Sequence, residues 1–257
     1  MAEDIFMALR KNIREYGKSV IDHVIRNHFS PGDFAGEPDI CSFCGAKDLL
    51  TKEHVLPKWS FENDSKRTFI TKINESSQSF IKSVVPCCAN CNNKTLAKVE
   101  QYIVSLFRNT KLPLEYFEVE ETLNIIRWLE IIDYKFHVFN FRRKYIRHSK
   151  ENFIPFVKDV PLSVMRLSID MSPYKALSQL RNSQARIRRK DKDSRYYSLV
   201  FWKSKNKEPL FFHSLDEFIF FEFPEYEMAL FYFYKKEFND NFDTEKEAKK
   251  IILENYG

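Results

Sequence analysis

Apolar residues recur at helical spacing over residues 4–29, where Ile5, Phe6, Leu9, Ile13, Val20, Ile21, Val24 and Ile25 share one face. Gly17 weakens the middle of that helix. Ser30-Pro31-Gly32-Asp33 ends it, and Gly36-Glu37-Pro38-Asp39 continues as a loop. Two short β-capable runs follow, residues 49–56 (LLTKEHVL) and 80–85 (FIKSVV). The polar stretch between them, with Glu62-Asn63-Asp64-Ser65-Lys66, reads as a long loop. Over residues 88–108, Leu96, Val99, Ile103, Leu106 and Phe107 form the stripe of an amphipathic helix. Lys111-Leu112-Pro113 breaks it, and residues 119–136 predict another helix with Leu123, Ile126, Trp128, Leu129 and Ile132 inward.

The last third changes character. A helix is expected near residues 173–189. Aromatic-rich, strand-like runs then come at 196–202, 210–213, 218–223 and 228–234, in the manner of an antiparallel meander, and a helix over 244–255 closes the chain. The fold class is therefore α+β. Three segments are expected: an N-terminal helical segment (1–39), a knuckle–strand–strand–knuckle–helix unit (40–110), and a basic, aromatic α+β region (111–257).

Composition adds bounds. Hydrophobic residues make up 44% and charged residues 30% of the 257, as in a globular chain, and 25 Phe supply a large core despite only five Gly. No apolar run is long enough to span a membrane, and the N-terminus lacks a basic segment followed by an apolar one, so a cytoplasmic location is expected. The net charge of +5 is unevenly spread: residues 135–205 hold 18 Lys+Arg against five Asp+Glu. Such a stretch is a candidate phosphate-binding surface.

The cysteines carry the sharpest signal. Cys41-Ser-Phe-Cys44 and Cys88-Ala-Asn-Cys91 are two C-x-x-C knuckles, the spacing at which four thiolates close a tetrahedral zinc shell. Cys87 leaves the register of the second knuckle open; Cys88 restores the C-x-x-C spacing, with Cys87 then a small buried apolar residue or a substitute ligand. Between the knuckles lies Glu53-His54-Val55-Leu56-Pro57, and Asn92 follows the last cysteine, with Lys94 close behind.

This arrangement, over about residues 40–108, resembles the HNH (His-Me finger, ββα-metal) endonucleases, including zinc-binding members such as phage Holliday-junction resolvases. The resemblance implies a ββα-metal module with a treble-clef-like structural zinc, followed by a helical segment and an aromatic-rich antiparallel β region. It implies His54 as the general base that activates water, the role a neutral imidazole fills near neutral pH. It further implies Glu53 and Asn92 as oxygen ligands of a catalytic Mg²⁺ or Mn²⁺. The family's middle Asn, which orients the catalytic His, falls at Ser83; a backbone carbonyl or Asn93 are the other candidates for that role. Adjacent strand residues point to opposite faces, so Glu53 and His54 reach one phosphate only if the strand ends there, as Pro57 suggests.

DNA is the expected partner, with RNA as the other substrate class. Lys58, Lys94, Arg142, Arg143, Lys144, Arg147, Arg186, Arg188 and Arg189 are candidate contacts. A role in anti-phage defence or restriction, as a homodimer or beside a partner ATPase, is implied by analogy alone. A non-catalytic, zinc-stabilised nucleic-acid-binding protein is the alternative. The remaining histidines, His23, His28, His137, His148 and His213, are expected to be structural.

Overall fold

The structure, a computed structural model, describes residues 2–29, 37–62, 68–71, 77–110, 117–144 and 173–256. Helix α1 (Ala2–Phe29) runs unbroken through Gly17. The glycine lies close to Gln184: a Cβ there would lie 2.9 Å from Gln184 Oε1, and Gln184 Nε2 donates to the Gly17 carbonyl at 3.1 Å. Strand β1 (Leu50–His54) is followed by β2 (Thr68–Thr71), β3 (Ser77–Ser79) and β4 (Val84–Cys88). A π-helical turn (Cys91–Leu96) leads into α2 (Ala97–Asn109), and α3 (Val119–Lys144) follows. Helix α4 (Pro173–Arg188) precedes β5 (Leu199–Lys203), β6 (Phe211–Ser214), β7 (Phe218–Phe223), β8 (Met228–Phe233) and α5 (Asn241–Tyr256).

The strands make two sheets. β1 and β4 pair antiparallel on their own, from Leu50 opposite Cys88 to His54 opposite Val84. The other six take the order β3-β2-β6-β7-β8-β5, antiparallel except for the β2–β6 pair. Every residue of β7 and β8 is buried. Period-2 alternation splits them: Ile219, Phe221, Phe223, Leu230 and Tyr232 join the main core, while Phe218, Phe220, Phe231 and Phe233 pack with Phe212 and Ala248 of α5. A sheet covered on both faces accounts for the many phenylalanines.

Helix α3 is apolar around most of its girth, which is the mark of a central helix. It runs past residue 136 because Val138 and Phe141 remain in the core. Its charged residues are internally matched. Asp133 accepts from Arg186 of α4 and lies 3.0 Å from His213 Nε2, and Glu130 pairs with Lys192.

Three expectations change. The stretch between β1 and β4 contains the β2–β3 pair, whose strands of four and three residues are too short to show a legible alternation. The second zinc-side strand is Val84–Cys88, displaced from 80–85, because Ser83 N bonds the Ser79 and Phe80 carbonyls and makes residues 80–82 a turn. The tail strands form a β6-β7-β8 meander, but β5 pairs with β8 and not with β6. The segments 1–39, 40–110 and 111–257 share one core: β2 pairs with β6, and Leu9, Val99 and Phe221 belong to the same cluster. No helix among the described residues is long and apolar enough to cross a membrane.

Candidate functional site

The two knuckles meet at one end of the β1–β4 pair. Gly45, at φ 71°, closes the first turn, with Gly45 N on the Cys41 carbonyl (2.9 Å) and Cys41 N on Ala46 O (2.7 Å). Ser42 N ties this knuckle to Pro86 O of β4 at 2.9 Å, and Tyr134 of α3 donates to Ser42 O. Cys88 ends β4, and Cys91 opens the π-helical turn. The Sγ atoms of Cys41, Cys44, Cys88 and Cys91 all lie within 4.8 Å of one another, with Cys44 and Cys88 at 3.6 Å. Tetrahedral zinc with Zn–S near ~2.3 Å sets sulfurs about 3.8 Å apart, so the four thiols fit that ion. Asn12 Nδ2 and Cys91 N add N–H contacts to the sulfurs of Cys91 (3.5 Å) and Cys88 (3.4 Å).

Cys87 is not one of the four. It is fully buried, and its hydrogen bond to Cys41, together with burial, pushes its thiol far up. Its Sγ donates to the Cys88 carbonyl at 3.6 Å.

At the far end of β1, alternation parts Glu53 from His54. Glu53 turns inward, where Lys135 Nζ of α3 sits 2.7 Å from its Oε1. The same ammonium donates to His54 O at 2.8 Å and lies 3.8 Å from Glu100 Oε1. The His54 ring is half-buried, 6.1 Å from the Phe61 ring, which stacks on Phe80. Burial lowers the His54 pKa, and the Lys58 and Lys135 charges lower it further against an opposing Glu53. The imidazole is therefore neutral at pH 7, with a ring nitrogen able to accept a proton. The strand ends here: Val55 N makes one further bond to Ser83 O (2.9 Å), and Pro57 leads into a 3-10 turn (Lys58–Ser60).

Asn92 lies on the Thr51 side of β1, its Nδ2 donating to Thr51 Oγ1 at 2.8 Å, while Thr51 Oγ1 donates to Cys87 O. Thr51 and Glu53 share a strand face. The structure thus brings Asn92 and Glu53 to one face and His54 to the other. The expected Mg²⁺ or Mn²⁺ shell does not fit this geometry. The Glu53 carboxylate is neutralised by a buried ammonium, and a divalent ion beside it would face that charge. Ser83 is also not placed to orient His54: its hydroxyl donates to Ser79 O at 2.7 Å. No hydrogen bond reaches the His54 ring among the described residues.

Of the basic candidates, Lys58, Lys94, Arg188 and Arg189 are exposed. Arg142 forms a two-pronged pair with Asp39. Arg186 is a correction: it is buried, held between Asp133 and Asp216, and belongs to the core. Arg147 and the side chains of Arg143 and Lys144 lie outside the described residues. His137 and His213 are buried against Asp133, and ligand atoms of His137, Asp133 and Asp216 lie within 4.8 Å of one another, a grouping that sequence reasoning did not anticipate, while His28 and His148 lie outside the described side chains. Sequence reasoning missed Lys135. Its signal was a lysine inside the apolar run Ile131-Ile132-Asp133-Tyr134-Lys135-Phe136, a charge that can be buried only against a partner.

No family model, characterised protein or solved structure matches this chain.

The Cys88→Ser protein is expected to lose its zinc and unfold the knuckle region, because zinc contributes on the order of 10 kcal/mol to such sites. Cys87→Ser should keep one zinc per chain; metal analysis of both proteins by mass spectrometry checks this, and zinc loss in Cys87→Ser would contradict the ligand assignment. His54 should titrate below the ordinary ~6.5. Lys58→Gln removes a positive neighbour and should move that midpoint upward, as followed by the imidazole C–H resonances in NMR.

Proposed function

We propose that the chain is a nucleic-acid phosphodiesterase, an endonuclease acting on DNA, with His54 as its general base. The observation that carries this reading is the placement of His54: a neutral, half-buried imidazole at the last residue of a strand braced by the four-cysteine cluster, with Lys58 close enough to depress its pKa. The motif resemblance to HNH endonucleases at Glu53-His54, Asn92 and Lys94 supports it.

In this reading His54 takes a proton from water as the water oxygen bonds to phosphorus. The P–O ester bond breaks, and the leaving oxygen takes a proton from solvent. The exposed Lys58 ammonium offsets charge on the phosphate. The four thiolates hold a structural zinc that fixes β1, β4 and α2, and zinc takes no part in the chemistry. Lys135 and Glu53 act behind His54, fixing the strand end through its backbone carbonyl.

A second reading, a zinc-braced nucleic-acid-binding protein that does not cleave, is favoured by one observation: the Glu53 carboxylate is occupied by Lys135. Plasmid nicking separates the two. With Mg²⁺, Mn²⁺ or neither added, the wild-type chain should nick, and His54→Ala should lose about 100-fold or more, the typical contribution of general-base catalysis. Zinc content and circular dichroism of the variant must match wild type. Equal cleavage by both proteins removes His54 from the chemistry. DNA binding with no cleavage by either selects the second reading.

A further inference from the structure

Beyond the His54 site, a cleft of about 750 Å³ opens between the 3-10 turn after β1, the β5–β6 loop and the β7–β8 turn. Its volume lies in the range of ligand-binding clefts, ~300–1,000 Å³. Its floor is aromatic. Trp59 stacks on Phe223 (5.4 Å between centroids, 27° between planes) and meets Tyr226 edge-on at 6.2 Å. The Trp59 Nε1–H is buried and makes no hydrogen bond among the described residues.

The two lips differ in charge. One carries Lys203, Lys205 and Lys207, all exposed. Lys203 lies 3.6 Å from Glu227 across the cleft, while Lys205 and Lys207 have no ion-pair partner among the described residues. This lip is built rather than loose: the buried Glu222 carboxylate accepts from the Ser204 hydroxyl and, at 2.9 Å, from the Asn206 amide, pinning the loop between the lysines. The other lip carries Glu225 and Glu227.

We propose that this cleft binds a single-stranded segment of nucleic acid, one unpaired base against Trp59 and Tyr226 and the adjoining phosphates along Lys203, Lys205 and Lys207. Alternate lysines over an aromatic floor are what a single strand requires, a cationic track beside a stacking surface. A duplex is disfavoured, because its second backbone would meet Glu225 and Glu227. The proposal rests on the nucleic-acid reading of the His54 site and extends it. Trp59 follows His54 by five residues, so the two are at most ~18 Å apart along extended chain. A strand seated in the cleft therefore passes within a few nucleotides of the imidazole.

The test uses the full chain, zinc-loaded, as the His54→Ala protein, so that binding is read without cleavage. Fluorescence anisotropy follows a labelled oligothymidylate of about a dozen nucleotides, an abasic strand of the same length, and a blunt duplex. Adding Lys203→Ala, Lys205→Ala and Lys207→Ala together is expected to weaken oligothymidylate binding about tenfold. It should also flatten the dependence of log K on log salt by about 2, near 0.7 for each phosphate no longer neutralised. The abasic strand should bind the unaltered cleft at least about fivefold more weakly, since stacking contributes ~1–3 kcal/mol per base. Three results overturn the proposal: lysine variants that bind as before, an abasic strand that binds as tightly as oligothymidylate, or an equal loss on duplex. Absence of oligothymidylate binding overturns it as well. A wild-type chain that binds the strand through these lysines yet never nicks leaves the cleft intact and removes only the cleavage reading.

Discussion

One ammonium joins the central helix α3 to the end of β1. Lys135, fully buried on the central helix α3, reaches the end of β1 and donates to both the Glu53 carboxylate and the His54 carbonyl. A lysine out of water is tolerated only with such partners, and removal of either leaves an uncompensated charge in the core. Burial raises the nearby Glu100 carboxyl above its ordinary range, although Lys135 pulls the other way. The strand that presents His54 is thereby fastened to the helix around which the whole core is built.

The four-cysteine cluster fixes the opposite end of the same strand. It draws the turn at residues 41–44 against residues 88–91, far apart in sequence, beside an otherwise isolated two-stranded sheet. Two strands alone are marginal in water. A zinc ion held by the four thiols at one end, together with the Lys135–Glu53 pair at the other, would leave β1 little freedom to slip. The large sheet then sets the scale of the molecule, since both of its faces are covered and β2, inserted between the zinc-side strands, is one of its members. That insertion ties residues 40–110 to the C-terminal sheet.

Much of this was legible in the sequence, for identifiable reasons. Helices α1 and α2 stood out because their apolar residues keep a 3.6-residue period, and the knuckles because thiolate spacing around zinc is rigid. The tail strands were found by their aromatic runs. Their order was not, since pairing β5 with β8 is a long-range choice that local pattern does not encode. β2 and β3 were hidden because strands of three or four residues inside a polar stretch look like loop. Arg186 stood in the densest basic cluster yet points into the core, since side-chain direction on a helix depends on what packs there. Ser83 aligned with an expected Asn, but a local turn takes its hydroxyl. The chemical consequence falls on Glu53: its residue type suits a metal ligand, and only the position of Lys135 shows that it is otherwise engaged.

His54 is thus held from behind by a buried ion pair, while its half-buried ring is left neutral on the opposite face. The most direct test of that arrangement is a double-mutant cycle on Lys135→Met and Glu53→Gln, read by urea unfolding of the zinc-loaded chain. Each single substitution is predicted to cost about 3–5 kcal/mol, the usual penalty for stranding a buried charge, and the double far less than their sum. Additive losses, or single losses under about 1 kcal/mol, would contradict the claim that Lys135 fastens β1 to the core.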